Sequence, residues 1–167
     1  KTATGSVVIA DLLARTGCGG IVVCPAALRR TWKAEMAKWG TAAPVLLPAT
    51  SADVRPPGEG EVLILSFDTL AQLPIEVWRA LRSSPPGWLI ADELQKIRTA
   101  KSSRSCRFED LVKIVRGPTL ALTGTLVENK PLDLWIVCVR LGIERVIFPG
   151  GISEFAEHFG GVYDFAS

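Results

Sequence analysis

Two adjacent carboxylates, Asp92 and Glu93, follow the apolar run Trp88–Ala91, and they are the strongest chemical signal in the sequence. An Asp at the end of a buried strand can hold magnesium, directly or through water, and the next carboxylate can orient a hydrolytic water. The alternative is a strand-end Asp that caps a helix. Lys1-Thr2 matches the tail of a phosphate-binding loop, G-x-x-x-x-G-K-S/T, in which the Lys reaches the β- and γ-phosphates and the hydroxyl sits on magnesium. Its alternative is an ordinary polar terminus. Cys24 and Cys106 have no base partner in the sequence and read as packing rather than as nucleophiles. His158, the only histidine, reads as a helix-end residue in EFAEHFGG.

Something must hold these groups in place. Four short runs are apolar on consecutive residues: Ile21–Cys24, Val62–Leu65, Trp88–Ala91 and Leu120–Leu122. Continuous apolar strands belong to a parallel sheet covered on both faces. Between them lie segments of helical period. Leu28, Trp32, Met36 and Trp39 form one stripe; Ile75, Trp78 and Leu81 form another after Pro74; Leu132, Trp135, Cys138 and Val139 form a third after Pro131. Trp32, Trp39 and Trp135 are expected in the core. Alternation of strand and helix predicts a doubly wound, mainly parallel α/β domain. Residues 1–167 read as one unit, with Thr50–Gly60 a loop.

The strands are followed by Pro25-Ala26, Ser66-Phe67-Asp68, Asp92-Glu93 and Thr123-Gly124-Thr125. In an open parallel sheet, ligands bind at the carboxyl ends of the strands. All four polar clusters should therefore share one edge.

Composition excludes several classes. The chain has 167 residues, 48% hydrophobic and 22% charged, which suits a globular domain and not a disordered or collagenous one. A net charge of +2 does not by itself call for a polyanionic partner. The four cysteines, Cys18, Cys24, Cys106 and Cys138, lack C-x-x-C spacing, so buried free thiols are expected rather than zinc, in a reducing compartment. No apolar run reaches membrane-spanning length and no signal peptide is present, so a soluble, intracellular protein without membrane association is expected. The absence of an initiator Met before Lys1 fits an excerpt of a longer chain.

Taken together, the segments IVVCPAALRRTWKAEMAKW, VLILSFDTL, WLIADELQKIRTAKSSRS and LALTGTLVENKPLDLW resemble the first RecA-like lobe of the Swi/Snf family of DNA-dependent ATPases, in helicase superfamily two. The resemblance runs from Lys1 to about Phe159 and implies a RecA-like lobe of the P-loop NTPase class. It implies ATP and magnesium as cofactors, with Lys1 on phosphate and Thr2 and Asp92 on magnesium. Glu93 would position or activate the attacking water. Gln95, Thr123, Gly124 and Thr125 would couple the nucleotide to DNA. Pro25, Ala26 and Ser66 would line the DNA track, and the basic run Lys96, Arg98, Lys101, Arg104 and Arg107 could add phosphate contacts unless it is a solvated loop face. The implied partners are double-stranded DNA and a second RecA-like lobe of the same parent chain; the implied compartment is cytoplasm or nucleus.

The sequence also departs from the family. D-E-L-Q stands where the family has D-E-A-H, and the Gln95 amide is expected to hydrogen-bond across to the Thr123 block. Leu126 replaces a proline, freeing a backbone N–H. The family's phosphate-loop glycines and the strand before them are not among residues 1–167, so the chain alone is expected to be inactive, with a gap inside its sheet. The rival to a translocating ATPase that moves on DNA or remodels protein–DNA complexes is a catalytically inactive remnant that binds DNA or protein.

Overall fold

The continuous apolar runs form the interior of one sheet. A computed structural model describes residues 1–39, 41–97, 102–124 and 131–159. Strands β1 (Gly20–Cys24), β2 (Val45–Leu46), β3 (Val62–Ser66), β4 (Leu89–Asp92) and β5 (Thr119–Leu122) lie in the order β2-β3-β1-β4-β5. Every pairing is parallel. The register sets Val22 beside Ile64 on one side and Ile90 on the other.

All residues of β1, β3 and β4 are buried, so their side chains divide by the two-residue period between two covered faces. Ile21, Val23, Leu63, Leu65, Leu89 and Ala91 meet one set of helices. These are α3 (Phe67–Ala71), α4 (Ile75–Ser83), α5 (Ser103–Ile114) and α6 (Leu132–Leu141), which contribute Leu70, Trp78, Phe108 and Val137 to that core. Val22, Cys24, Val62, Ile64 and Ile90 face the other way, against Ile9 of α1 (Thr2–Thr16) and Trp32 and Met36 of α2 (Arg29–Lys38). The same period puts Asp92 on the Ile90 face, towards α1 and α2.

Two glycines permit this packing. A Cβ on Gly5 would come 2.4 Å from Trp32 Cη2, and one on Gly20 would come 2.0 Å from Trp88 Cδ2. Their missing side chains are what let α1 lie on the Trp32 ring and β1 on the Trp88 ring. The 50–60 loop is tied down at its end by Arg55, which donates to both Glu61 oxygens at 2.6 and 2.8 Å. That pairing, helped by the Gly58 N–H, holds the Glu61 carboxyl down at about 2.

Several sequence expectations need correction. The third strand begins at Leu89 rather than Trp88 and ends on Asp92 itself. Among the described residues no gap interrupts the sheet: β1 pairs directly with β3 and β4, and the half-buried strands are the two outer ones, β2 and β5. Trp39 is 46% exposed, its indole donating to Glu35 at 2.8 Å, because it caps α2 beyond the stripe that Trp32 and Met36 bury. Ile75, at the first turn of α4, is 53% exposed. Trp135 is half-buried against the rings of Phe148 and Phe155. Cys24 and Cys138 are buried thiols, whereas Cys18 and Cys106 are exposed. Ser103–Arg107 is not loop but the start of α5, capped by Ser102, whose hydroxyl accepts from Ser105 N–H at 3.2 Å. His158 ends α8 (Ile152–His158), which follows the short α7 (Glu144–Ile147). Arg98, Lys101, Thr125 and Leu126 lie outside the described residues.

Candidate functional site

The carboxyl edge of the sheet gathers the charged and polar residues singled out above. β4 ends on Asp92, which is 1% exposed. One carboxylate oxygen, Oδ2, accepts the Trp32 indole N–H at 2.9 Å. The other, Oδ1, is buried and meets no hydrogen-bond donor among the described residues. A buried carboxylate oxygen without a partner costs about 1–3 kcal/mol or more, which a bound cation or an ordered water would relieve.

The next residue turns sharply. Glu93 has φ 57°, the one described non-glycine residue in the left-handed region. Such a conformation costs on the order of 1–3 kcal/mol and clusters at functional sites. It takes the chain from β4 directly into the short turn Leu94–Ile97 and carries the Glu93 carboxylate to the start of α1. There Lys1 Nζ contacts Glu93 Oε1, and Gln95 Nε2 donates to Glu93 Oε2. The Lys1 ammonium and the Gln95 amide hold the Glu93 carboxyl below its ordinary range.

Gln95 faces two ways, as its amide allows. Its Oε1 accepts from the Thr123 hydroxyl at 2.8 Å, just beyond β5. This is the cross-link that the D-E-L-Q spelling led us to expect. A Cβ on Gly124 would lie 3.2 Å from Lys1 Nζ, so the glycine lets the ammonium sit close to the backbone after β5. Lys1, Glu93, Gln95, Thr123 and Gly124 thus form one connected group, with Asp92 at its base. Thr2 opens α1 beside it, its carbonyl accepting from the Ser6 hydroxyl at 2.9 Å.

Other candidates stand apart. Pro25 and Ala26 lead from β1 into the short turn Ala26–Leu28. Ser66 is 3% exposed, and its hydroxyl accepts from Thr69 N–H at 2.9 Å; it holds α3 rather than facing solvent. Arg104 pairs with Asp68, its Nε donating at 2.6 Å. Cys24 adjoins this region, but burial, with the Asp92 charge adding to it, pushes its thiol up to about 12; no nucleophilic thiolate forms there at neutral pH. The helical stripe places Trp32 in the core and says nothing of Asp92. The contact between the two joins residues 60 apart in the chain, and no local pattern announces such a pairing.

A family model described as SNF2-related domain matches residues 8–146. The chain belongs to that family. The relatives agree: the Arabidopsis thaliana protein Switch 2 is 27% identical over 86% of this chain and 16% of its own length. An ATP-dependent helicase of Mycoplasma pneumoniae is 31% identical over 83% of this chain and 13% of its own. Among solved structures, the Sulfolobus solfataricus SWI2/SNF2 ATPase core in complex with dsDNA superposes with a TM-score of 0.71 at 21% identity, covering 94% of this chain and 31% of that one. The same core domain in a second structure gives 0.63 at 22% identity. The SNF2-related domain therefore has the RecA-like fold expected from its sequence. It spans less than a fifth of the length of these curated relatives.

The SNF2 ATPase family uses a nucleotide, typically with magnesium, and among the described residues the Asp92 carboxylate fits the metal. Magnesium is usually bound through one or two carboxylates, with phosphates and waters completing its shell. The orphaned Asp92 oxygen meets that demand, and among the described residues no group of three or more acidic, His or Cys side chains offers a fuller cage. No described helix is long and apolar enough to cross a membrane.

The Gln95 bridge carries a prediction. Histidine has one donor and one acceptor only when neutral; as a cation it has two donors and cannot accept the Thr123 proton. Gln95→His should therefore keep the bridge to Thr123 above about pH 6.5 and lose it below, read as a pH-dependent shift of the Thr123 methyl signal in NMR that the parent does not show. A Thr123 signal with the same pH profile in both proteins would show that the imidazole does not take over the bridge.

Proposed function

We propose that this SNF2-related domain is the first, nucleotide-binding lobe of a longer DNA translocase, which couples ATP hydrolysis to movement on double-stranded DNA or to remodelling of protein–DNA complexes. The observation that carries the reading is the connected group Lys1–Glu93–Gln95–Thr123, built on the orphaned Asp92 carboxylate at the carboxyl edge. On this reading Lys1 binds phosphate, and Asp92 and Thr2 hold magnesium. Glu93 orients the attacking water and takes up its proton. Magnesium, when bound, neutralises charge building on the phosphates. Gln95, Thr123, Gly124 and Thr125 report the state of the site towards DNA. A second lobe of the same chain supplies the remaining cationic groups. The setting is the cytoplasm or nucleus, where ATP and DNA meet.

DNA would be held through its backbone, with Pro25 and Ala26 beside the track and Ser66 supporting it from beneath. Lys96 and Arg104 share a cleft with Asp68, Gln72, Ser102 and Ser103, at the start of α5. Because Arg104 is already paired with Asp68, a phosphate must displace a surface ion pair to reach it, at a cost of no more than about 1 kcal/mol. Binding should fall steeply with salt and vary little with sequence. Lys101→Ala combined with Arg104→Ala should lower the salt slope by up to about two, roughly 0.9 per lost contact. The test is calorimetric titration of the longer protein with a magnesium-bound ATP analogue, and then with duplex DNA over a salt series. Saturable binding of both, with the reduced slope in the double variant, is the expected result. An unchanged slope would return both residues to a solvated surface.

A further inference from the structure

We infer that Trp32 is a positioning residue for the cation site: its indole N–H fixes one oxygen of Asp92 and so keeps the other available to a divalent cation. The inference rests on the nucleotide reading given above and extends it to a residue outside the carboxylate pair. Asp92 is almost fully enclosed, yet only one of its oxygens has a partner, and that partner is an indole nitrogen 2.9 Å away. Trp32 is itself fully buried, at 0% exposure, and α1 is shaped to receive it. A Cβ on Gly5 would come 2.4 Å from its Cη2 and 3.0 Å from its Cζ3. The ring therefore lies directly against the backbone of the helix that begins at Thr2.

The chemistry of the donor matters. An indole N–H donates only, carries no charge and does not titrate in water. A Lys or Arg in its place would bring a positive charge that competes with the cation for the carboxylate. A neutral donor holds the geometry and leaves the full negative charge to the metal. Hydrogen bonds to a ligating carboxylate orient it in this way, and losing such a bond typically weakens metal binding by about 10–100-fold.

The experiment uses the longer protein and manganese as the paramagnetic probe, titrated in the presence of ADP and followed by electron paramagnetic resonance. Trp32→Phe, which keeps an aromatic ring and removes the N–H, should weaken manganese binding by about 10–100-fold. ADP affinity measured without any divalent ion should stay within about twofold. Asp92→Asn should lose protein-bound manganese, leaving only the spectrum of the ion in solution with ADP. If Asp92→Asn loses it and Trp32→Phe keeps the parent affinity, Trp32 only packs, and the inference fails while the nucleotide reading stands. If Asp92→Asn also keeps the parent affinity, both fail. Should Trp32→Phe not fold, fluorine NMR on the parent labelled with fluorotryptophan decides the matter, each signal being assigned by substituting the other tryptophans one at a time. The Trp32 signal should shift on adding magnesium to the ADP-bound protein and stay still in Asp92→Asn. A Trp32 signal indifferent to magnesium in the parent overturns the inference.

Discussion

Glu93→Gln in the longer protein is expected to abolish ATP turnover, by about 10²–10⁴-fold, while magnesium-ATP still binds. The amide fills the same space, but it cannot take up the proton of an attacking water. Glu93 is held in place by two neighbours, Lys1 and Gln95, and by a left-handed backbone that few non-glycine residues adopt. Glutamine can keep a hydrogen bond to either neighbour, so the fold should survive and the defect should lie in the chemical step. Turnover of the variant within about twofold of the parent would remove Glu93 from that step.

The second large effect concerns Lys1. Lys1→Ala should weaken nucleotide binding by about 10–100-fold, the worth of a hydrogen bond to a charged group. The same change acts on Glu93, whose carboxyl Lys1 holds down more than any other group. A carboxyl depressed in the folded state stabilises the fold above its unfolded value and loses that contribution as pH falls through the folded value. In the variant the Glu93 carboxyl should move back up towards 4.5, and the parent's extra acid-induced loss of stability below that pH should shrink. Carbon-detected NMR of the Glu93 carboxyl reads the shift, and calorimetry reads the nucleotide. A Lys1→Ala protein that binds nucleotide as tightly as the parent would leave Lys1 as a partner of Glu93 only.

Much of this was legible in the sequence because it depends on short-range pattern. Strands buried on both faces read as unbroken apolar runs, and those runs fall within a residue of β1, β3, β4 and β5. The polar residues directly after each strand share one edge because parallel strands end together. Other features had no such signature. β2 is two residues long, too short to show a period. The start of α5 carries Arg104 and Arg107, and its basic surface hid its helical character. Trp39 and Ile75 sit at helix ends, where the stripe runs past the part of the helix that touches the sheet. The Trp32–Asp92 bond is tertiary, set by how α2 lies on β4, and Gly5 makes room for it from a third element.

ATP turnover by the longer protein, measured with and without double-stranded DNA of arbitrary sequence, tests the central claim most directly. Phosphoryl transfer depends on positioning and charge, with second-lobe arginines typically worth about 10³–10⁵ in rate, so residues 1–167 alone should show negligible turnover under either condition. The longer protein should hydrolyse ATP, faster when DNA is added, and should lose that activity in Glu93→Gln. Tight nucleotide or DNA binding by the longer protein with no turnover in any of these conditions would contradict the account and make the fold a binding module.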